Sequence, residues 1–281
     1  CNLDVSCYPE YETISHSVAV YLFVSPPTQF YCTGALVADS DVGSSVPYFL
    51  TANHCVGAQD GSHGAGSMEF YWLYQTSECN GAVPAVSALP RTSGGADFLA
   101  GISSNIGSDF ALVRLRNAPP ASVAYAGWSS GHVPLGTNVA CIHHPRGDYK
   151  RISFGHLTQS GSPLSEYRPV KPYSFFLESL WAEGTTEPTS SGSPLFRVDS
   201  QLIVGQLWGG YASCGSTDEP DYFGRFDKSF VVLKNWLDPD VVPVAPVAAF
   251  SGRPLSGVAP LEVDFEDASS PGGTTITSWA W

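Results

Sequence analysis

Short runs of apolar and β-branched residues follow one another along most of the chain, and turn-forming residues separate them. A short run of this kind, bounded by Gly, Pro, Asn, Asp or Ser, is typical of a β-strand. The pattern predicts strands in the segments SHSVAVYLFV, FYCTGALV, VPYFLTANHC, FYWLYQ, DFALVRL, NVACIHH and LIVGQLWGG. The chain also has 28 Gly and 22 Pro, which favours frequent turns over long helices. We therefore predict an all-β main body.

Helical spacing is clear in one segment, DKSFVVLKNWL at 227–237. Four apolar residues recur there at intervals that place them on one face of a helix: Phe230, Leu233, Trp236 and Leu237. Asp227 or Ser229 is positioned to cap the start of this helix, and Pro239 follows its end. The main body is thus predicted to end in a single helix.

The pattern changes near residue 240, where DPDVVPVAPVAAF predicts a stiff Pro-rich linker over 241–246. This linker would join a domain at 1–240 to a segment at 247–281. In that segment Leu261, Val263 and Phe265 alternate with acidic residues and predict a half-buried strand. Trp279 and Trp281 begin another alternation. Because about 35 residues are too few to enclose a core, we interpret 247–281 as the first part of a second module.

Composition and charge narrow the functional class. The formal net charge is −13, which argues against nucleic acid and anionic membranes as partners. No apolar run approaches the length of a membrane-spanning helix. The first residues, CNLDVSC, include no Met and no basic leader, so we interpret them as a processed N-terminus. The seven cysteines form no CxxC pair, and their scatter favours the disulfides of a secreted protein over zinc or thioredoxin-like chemistry.

Two motifs offer a general base and a group to orient it. His54 ends the apolar run FLTANHC, and a disulfide between Cys32 and Cys55 would fix its turn against a neighbouring strand. Asp109 precedes the strand DFALVRL, where its carboxylate could orient the second nitrogen of His54. Taken alone, His54 is more often a buried structural histidine, and Asp109 more often a turn cap.

The sequence SGSPL occurs twice and supplies two candidate nucleophiles, Ser160 and Ser191. The residues after Ser160 are polar and rich in Pro, as in a surface loop. A predicted strand follows Ser191 and can form one wall of a cleft, and TSSG offers consecutive N–H groups to an oxyanion. The order His54, Asp109, Ser191 is also that of one known triad family. We assign Ser191 as the nucleophile and Ser160 to a surface loop.

The segments CTGALV, TANHC, GSDFALVRL, TSSGSPLF and GQLWGG resemble those of the chymotrypsin-like serine proteases. Among them the chain is similar to the secreted bacterial lysyl endopeptidases, through CNLDVSC, YWLYQTSEC, IHHP at 142–145, RIS at 151–153, TEPTSSGSP and DYFGRF. The resemblance covers about residues 1–238. It implies two antiparallel β-barrels with the active site in the crevice between them. The tail resembles the first half of a PKD domain, an immunoglobulin-like β-sandwich module.

The resemblance also implies roles for individual residues. The triad falls on His54, Asp109 and Ser191, and the oxyanion hole on the N–H groups of Thr189 and Ser191. Three disulfides are implied, and they are Cys1–Cys214, Cys7–Cys79 and Cys32–Cys55. Cys141 is left over, at a position where the family has a small apolar residue, so we expect a buried free thiol. Thr189 departs from the Gly that is usual in the family.

A pocket for a lysine side chain needs an apolar shaft with a carboxylate at its end, because an unpaired buried ammonium is costly. Asp221, in DYFGRF, matches the lysine-binding residue of the family. Its alternative is a turn acid, a role for which Asp218 and Glu219 also compete. Further substrate-binding candidates are Trp208, Gly209 and Gly210 in QLWGG, where a different ring is usual at 208, and Glu187, which adds a second charge or a local hydrogen bond.

We expect no cofactor and no metal. His143 and His144 are adjacent on a predicted strand and point to opposite faces, so they cannot readily bind one ion. The leading hypothesis is a secreted, monomeric serine endopeptidase that cleaves protein or peptide substrates after Lys. The alternatives are a catalytically impaired, protease-like binding protein and an endopeptidase with Arg or Glu specificity.

Overall fold

The computed structural model describes residues 1–56, 62–158, 172–239, 249–267 and 269. The chain divides into two compact units, Cys1–Leu233 and Lys234–Trp281. No helix in the described ranges is long and apolar enough to cross a membrane.

The described residues are mainly in short antiparallel strands, as the alternating and apolar runs predict. The strands are β1 (Leu3–Asp4), β2 (Val18–Ser25), β3 (Thr28–Val37), β4 (Tyr48–Ala52), β5 (Glu69–Tyr71), β6 (Arg91–Thr92), β7 (Ala96–Ile102), β8 (Phe110–Leu115), β9 (Asn138–His143), β10 (Arg151–Thr158), β11 (Phe176–Glu183), β12 (Pro194–Arg197), β13 (Ile203–Gly210), β14 (Asp221–Arg225), β15 (Phe250–Arg253) and β16 (Asp264–Asp267). The helices are α1 (Glu12–Ser15), α2 (Ser62–Gly66), α3 (Pro172–Phe175) and α4 (Phe226–Leu237).

The first large sheet has the strand order β6-β5-β2-β3-β4-β8-β7 and curls around an aromatic core. Tyr21, Phe49, Phe70 and Trp72 are fully buried there, and the rings of Phe49 and Phe70 lie 4.8 Å apart. Because β4 pairs with β8, with Ala52 opposite Phe110, the residues just beyond Ala52 and just before Phe110 lie side by side.

The second large sheet closes into a six-stranded barrel. Its strands follow the order β10-β11-β14-β13-β12-β9, and β9 returns to pair with β10. β1 adds to β10 outside the closed ring. The core contains Val139, Leu195, Leu207 and Phe223, all buried. The predicted all-β architecture of the main body is therefore confirmed, with one closed barrel and one curled half-barrel sheet.

Helix α4 is confirmed, but its start differs from the prediction. It begins at Phe226, so neither Asp227 nor Ser229 occupies the capping position. Asp227 instead accepts two hydrogen bonds from the guanidinium of Arg225, at 2.9 and 2.6 Å. The hydroxyl of Ser229 donates to the main-chain oxygen of Arg225. Both side chains satisfy groups at the end of β14 rather than the first amides of the helix.

In the second unit, β15 and β16 form a two-stranded antiparallel sheet. The predicted strand begins at Asp264 rather than at Leu261, and it is not half-buried: Leu261 and Phe265 are exposed. Among residues 249–267 and 269, these two strands form one layer, and no second described layer covers their apolar side chains. The predicted linker at 241–246, Trp279 and Trp281 lie outside the described residues.

Three disulfides join distant parts of the first unit: Cys1–Cys214, Cys7–Cys79 and Cys32–Cys55. They are the three pairs that the family resemblance implies. Cys141 is free, lies on β9 and is fully buried. Burial raises the pKa of its thiol well above the ordinary value, which keeps it protonated and unreactive.

Candidate active site

His54 and Asp109 meet at the ends of the paired strands β4 and β8. The Nδ1 atom of His54 lies 2.6 Å from Oδ2 of Asp109, and the other carboxylate oxygen accepts from the His54 amide at 3.3 Å. The main-chain oxygen of Asp109 also accepts from the amide of Asn53, at 2.8 Å. One contact thus fixes the imidazole through Nδ1 and two fix the main chain beside it, which leaves the Nε2 side of His54 free to act on a substrate.

Burial differs sharply between the two partners. The carboxylate of Asp109 is 1% exposed, whereas the His54 side chain is 41% exposed. Burial raises the pKa of Asp109, while its hydrogen bond with His54 opposes that rise. Positive charge that develops on the imidazole is therefore stabilised by a dry carboxylate on one side, while the other side remains accessible.

Ser191 lies in a turn that packs against the first sheet beside His54. Its main-chain oxygen accepts from the amide of Thr33 at 2.9 Å, and Thr33 lies next to Cys32, the partner of Cys55. The following residue, Gly192, has a φ of +84°, and a Cβ there would collide with Thr51 and lie 2.9 Å from the amide of Ala52. Only glycine permits this close approach.

The structure therefore brings Ser191 next to the chain segment that carries His54. Within the described residues, the Ser191 hydroxyl makes no hydrogen bond with His54. Catalytic hydrogen bonds are often long in enzymes without substrate, so the side-chain contact of the triad stays a prediction. Ser160, the rejected candidate, lies outside the described residues.

Thr189 occupies a left-handed conformation, with a φ of +75°. Its hydroxyl donates to the main-chain oxygen of His144 at 2.5 Å and accepts from the amide of Gly147 at 2.7 Å. These bonds hold a β-branched residue in a conformation that glycine would adopt without strain. Among the hydrogen bonds of the described residues, the amides of Thr189 and Ser191 have no acceptor. Both amides are thus available to an oxyanion.

Asp221 opens β14 and is buried, in contrast to the exposed Asp218 and Glu219 that compete with it in the sequence. Its Oδ2 accepts from Trp181 Nε1 at 2.6 Å and from Thr186 Oγ1 at 2.7 Å. Its Oδ1 has no hydrogen-bond partner among the described residues. Burial raises the pKa of Asp221 to about 6, and the hydrogen bonds from Thr186 and Trp181, with the nearby amide of Ala212, restrain the rise. A buried carboxylate oxygen without a partner is unfavourable unless a ligand supplies one.

Two chain segments run from the Ser191 turn to Asp221. One leads from Ser191 back to Thr186, which binds the carboxylate. The other begins at Leu207, whose oxygen accepts from the amide of Gly192 at 2.7 Å, and continues to Gly210, which pairs with Asp221. A Cβ on Gly210 would collide with the unpartnered Oδ1, so glycine is required there.

Trp208 and Gly209 lie between these two points. A Cβ on Gly209 would meet no atom within 4 Å, which indicates open space beside the segment. Trp208 is partly exposed and packs edge-on against Phe176, with a centroid distance of 5.9 Å. Its ring is thus held by neighbours while one part of it remains accessible.

Glu187 has protein partners for both carboxylate oxygens. Oε1 accepts from Arg146 Nε at 3.0 Å, and Oε2 accepts from Asn2 Nδ2 at 2.9 Å. Of the two roles considered from sequence, the local hydrogen bond is the one visible in the structure. Through Asn2, this carboxylate ties the residues beside the Cys1–Cys214 disulfide to the segment before Ser191.

Two residues hold the carboxylate of Asp221, and the sequence did not reveal either of them: they are Trp181 and Thr186. They lie on β11 and on the loop after it, and only the closure of the barrel brings them to the carboxylate. TEPTSSGSP includes Thr186, but neither spacing nor residue type signals its contact. Within the described residues, three side chains cluster as metal ligands would, those of Cys32, His54 and Cys55, but the two sulfurs form a disulfide.

A curated protein is similar to this chain in sequence. The chain is 28% identical, over 252 residues, to a lysyl endopeptidase of Pseudomonas aeruginosa. The match covers 85% of the chain and 52% of the relative, so the chain spans about half the length of that protein.

Solved structures show the same fold at low sequence identity. The Rv3671c protease of M. tuberculosis in its active form superposes with a TM-score of 0.54 at 14% identity, covering 85% of this chain and 88% of that one. An inactivated protease paralogue of the scabies mite, SMIPP-S-I1, has a TM-score of 0.56 at 12% identity, covering 79% and 94%. The model of one family, described as the lysyl endopeptidase C-terminal domain, matches residues 1–224. The chain therefore belongs to the lysyl endopeptidase C-terminal domain family.

Proposed function

We propose that the chain is a secreted serine endopeptidase that hydrolyses peptide bonds after lysine. The observation that carries the proposal is the buried Asp221, whose Oδ1 has no protein partner among the described residues. An ammonium group would supply the missing charge and hydrogen bond together. Family membership and the curated relative support peptidase chemistry on protein or peptide substrates.

In the proposed mechanism, His54 Nε2 removes the proton from Ser191 as its Oγ attacks the carbonyl carbon of the scissile bond. Asp109 holds the opposite nitrogen and stabilises the imidazolium. The amides of Thr189 and Ser191 donate to the oxyanion. The imidazolium then protonates the leaving amine, and an acyl-enzyme remains on Ser191. A water molecule, deprotonated by His54, releases the second product.

The specificity is tested with peptides that differ only in Lys, Arg or Glu before the cleaved bond. The wild type is expected to prefer Lys, and Asp221→Asn should reduce kcat/KM for Lys by about 10²–10³ because a buried charge pairing is lost. Asp218→Asn, in the exposed part of the same loop, is the matched control and should behave as wild type. A wild type that prefers Glu, or an unchanged Asp221→Asn variant, would overturn this assignment.

One observation favours the second candidate, a catalytically impaired binding protein. Thr189 holds a strained conformation where the family usually has Gly, and strain there can misdirect the amide that binds the oxyanion. If this candidate is correct, peptides bind without turnover, and Ser191→Ala binds them with unchanged affinity.

The proposal also includes the location, oligomeric state and C-terminal segment of the protein. The three disulfides suit an extracellular enzyme, and we propose that it acts as a monomer without metal or cofactor. We further propose that residues 247–281 belong to a PKD-like module, so an experimental structure of the intact protein should place them in a β-sandwich.

A further inference from the structure

A chain of buried hydrogen bonds runs behind the Ser191 turn and is centred on His143, at the end of β9. His143 Nδ1 lies 2.9 Å from Oγ of Ser190, the residue before the nucleophile. Its Nε2 lies 3.1 Å from Oγ of Ser153 on β10. All three residues are completely buried. The mechanism described above uses none of these side chains.

The main-chain oxygen of Thr185 can only accept, and it determines the direction of every hydrogen bond in this series. Ser153 Oγ donates its one hydrogen to the main-chain oxygen of Thr185, at 2.7 Å, so it can only accept from His143. His143 must therefore carry its proton on Nε2. Its Nδ1 is then an acceptor, and Ser190 Oγ donates to it. Ser190 Oγ in turn accepts from the amide of Glu187, at 3.4 Å.

The same turn is closed by main-chain bonds around Ser190. Its amide donates to the oxygen of Glu187 at 3.1 Å, and its oxygen accepts from the amide of Ser193 at 3.0 Å. The two amides assigned to the oxyanion, those of Thr189 and Ser191, flank Ser190 directly. A change in the backbone of Ser190 would therefore redirect the amide of Ser191 directly, and it would reach the amide of Thr189 through the turn that both residues share.

We infer that His143 is a positioning residue, which acts through Ser190 to hold the amides of Thr189 and Ser191 in the geometry that binds the oxyanion. The inference rests on the proposed function. Neutrality of the imidazole is essential, because a proton on Nδ1 would face the Ser190 hydroxyl and displace its hydrogen bond. Burial and the nearby Arg151 lower the pKa of His143 to about 3, which favours the neutral ring.

The tautomer is tested first, by nitrogen-detected NMR of the wild-type protein across pH 5 to 8. The imidazole signal that disappears in His143→Asn identifies the residue. We expect an Nε2–H tautomer that does not titrate in this range. A proton on Nδ1, or titration near pH 6.5, would overturn the inference. This readout does not depend on catalysis, so it remains valid if the protein proves not to be a peptidase.

The positioning role is tested by kinetics on a lysine ester substrate. Ser190→Ala and His143→Leu should each lower kcat by about tenfold to 10²-fold with little change in KM, since misplaced donors weaken only the transition state. The double variant should lose no more kcat than the more impaired of the two single variants, because both changes break the same connection. His143→Asn, whose Oδ1 can replace Nδ1 as the acceptor, should recover part of kcat.

Val139→Ala is the control, since Val139 is buried on the same strand and pairs with Gly155 and Arg197, which lie outside the turn. It should lower the free energy of unfolding while leaving kcat unchanged. Wild-type kcat in folded Ser190→Ala, or additive losses in the double variant, would overturn the positioning role. Absence of turnover in the wild type would instead refute the proposed function and leave the NMR result to stand alone.

Discussion

At the scale of single residues, Thr189 is the clearest departure from what the family resemblance implies. Its hydroxyl bridges His144 and Gly147 while its backbone is held at a φ of +75°. Thr189→Val keeps the shape and the strain but removes the bridge, and should lower the free energy of unfolding by about 1–3 kcal/mol. Thermal or denaturant unfolding of the two proteins measures the difference.

Two further variants separate the effect of the Thr189 hydroxyl bonds from the effect of its left-handed backbone. Thr189→Ser keeps the hydroxyl and should resemble the wild type in both stability and kcat. Thr189→Gly loses the bridge but relieves the left-handed strain, so its stability should lie between those of the Ser and Val variants. If Thr189→Val is as stable and active as the wild type, the hydroxyl contacts have no role.

From the raised pKa of Asp221 we predict how cleavage after lysine depends on pH. With the pKa raised to about 6, Asp221 is ionised above pH 6 and neutral below it in the free enzyme. The kcat/KM for a lysine substrate should therefore fall as the pH drops through about 6, beyond any fall for a substrate with an uncharged side chain. The ratio of the two profiles cancels any pH dependence that both substrates share, and a ratio independent of pH contradicts the assignment.

The site could be predicted in part from single residues. His54, Asp109 and Asp221 have suitable residue types, but their order along the chain and the family resemblance singled them out, and the structure shows all three in contacts consistent with those roles. The sequence could not reveal Trp181, Thr186 or Ser190, since ordinary polar residues obtain these roles only through contacts across the closed barrel. His143 was noticed as a metal candidate, and its serine partners were not.

At the scale of elements, the strands with regular apolar patterns were predicted, and the short helices were not. Helices α1, α2 and α3 have four or five residues each, which is too short for a helical period to show. Strands such as β7 and β10 mix Gly, Ser, Asp or His into the apolar pattern, so no clear alternation marks them. Tertiary pairing, rather than local preference, determines these elements.

The connection between β9 and β10 contains a fully buried lysine, Lys150. Its Nζ donates to the main-chain oxygen of Ser15 at 2.6 Å and to Gln75 Oε1 at 2.9 Å, and no carboxylate in the described ranges pairs with it. Burial lowers the pKa of this lysine from 10.5 to about 7. The folded protein thus releases a proton that the unfolded chain retains up to about pH 10.5.

Stability should therefore increase with pH between about 7 and 10.5, because the unfolded state binds more protons in that window. Lys150 contributes no slope below pH 7, where both states are protonated. The increase should approach about 1.4 kcal/mol per pH unit at most. It is measured as the difference in unfolding free energy between the wild type and Lys150→Met. A difference that stays constant from pH 7 to 10 would show that Lys150 does not release its proton.

At the scale of the whole molecule, the three lysines of the described residues are positioned where a lysine-cleaving enzyme would spare them. Lys150 is buried, while Lys228 and Lys234 are exposed but lie within α4. Lys171 lies outside the described residues and precedes Pro172. Exposed loops are the preferred sites of proteolysis, and ordered helices resist it. The fold is therefore expected to limit self-cleavage.

A lysine placed in an exposed turn should remove this protection. Val42 is fully exposed in the turn between β3 and β4. Val42→Lys should be cut after position 42 during storage, whereas Val42→Arg, matched in charge and length, should remain intact. Electrophoresis and mass spectrometry detect the fragments, and Ser191→Ala in the Val42→Lys background should abolish them. Equal cleavage of the Lys and Arg variants would argue against lysine specificity.

The central claim is that Ser191 is a nucleophile activated by His54 and Asp109, and loss of its hydroxyl should lower kcat by about 10⁵ or more. The most direct measurement is reaction of the folded protein with a fluorophosphonate, followed by peptide mapping. We predict one adduct, on Ser191, which is absent from the heat-denatured protein and from His54→Ala. An adduct on Ser160, or no adduct on the folded wild type, would contradict the account.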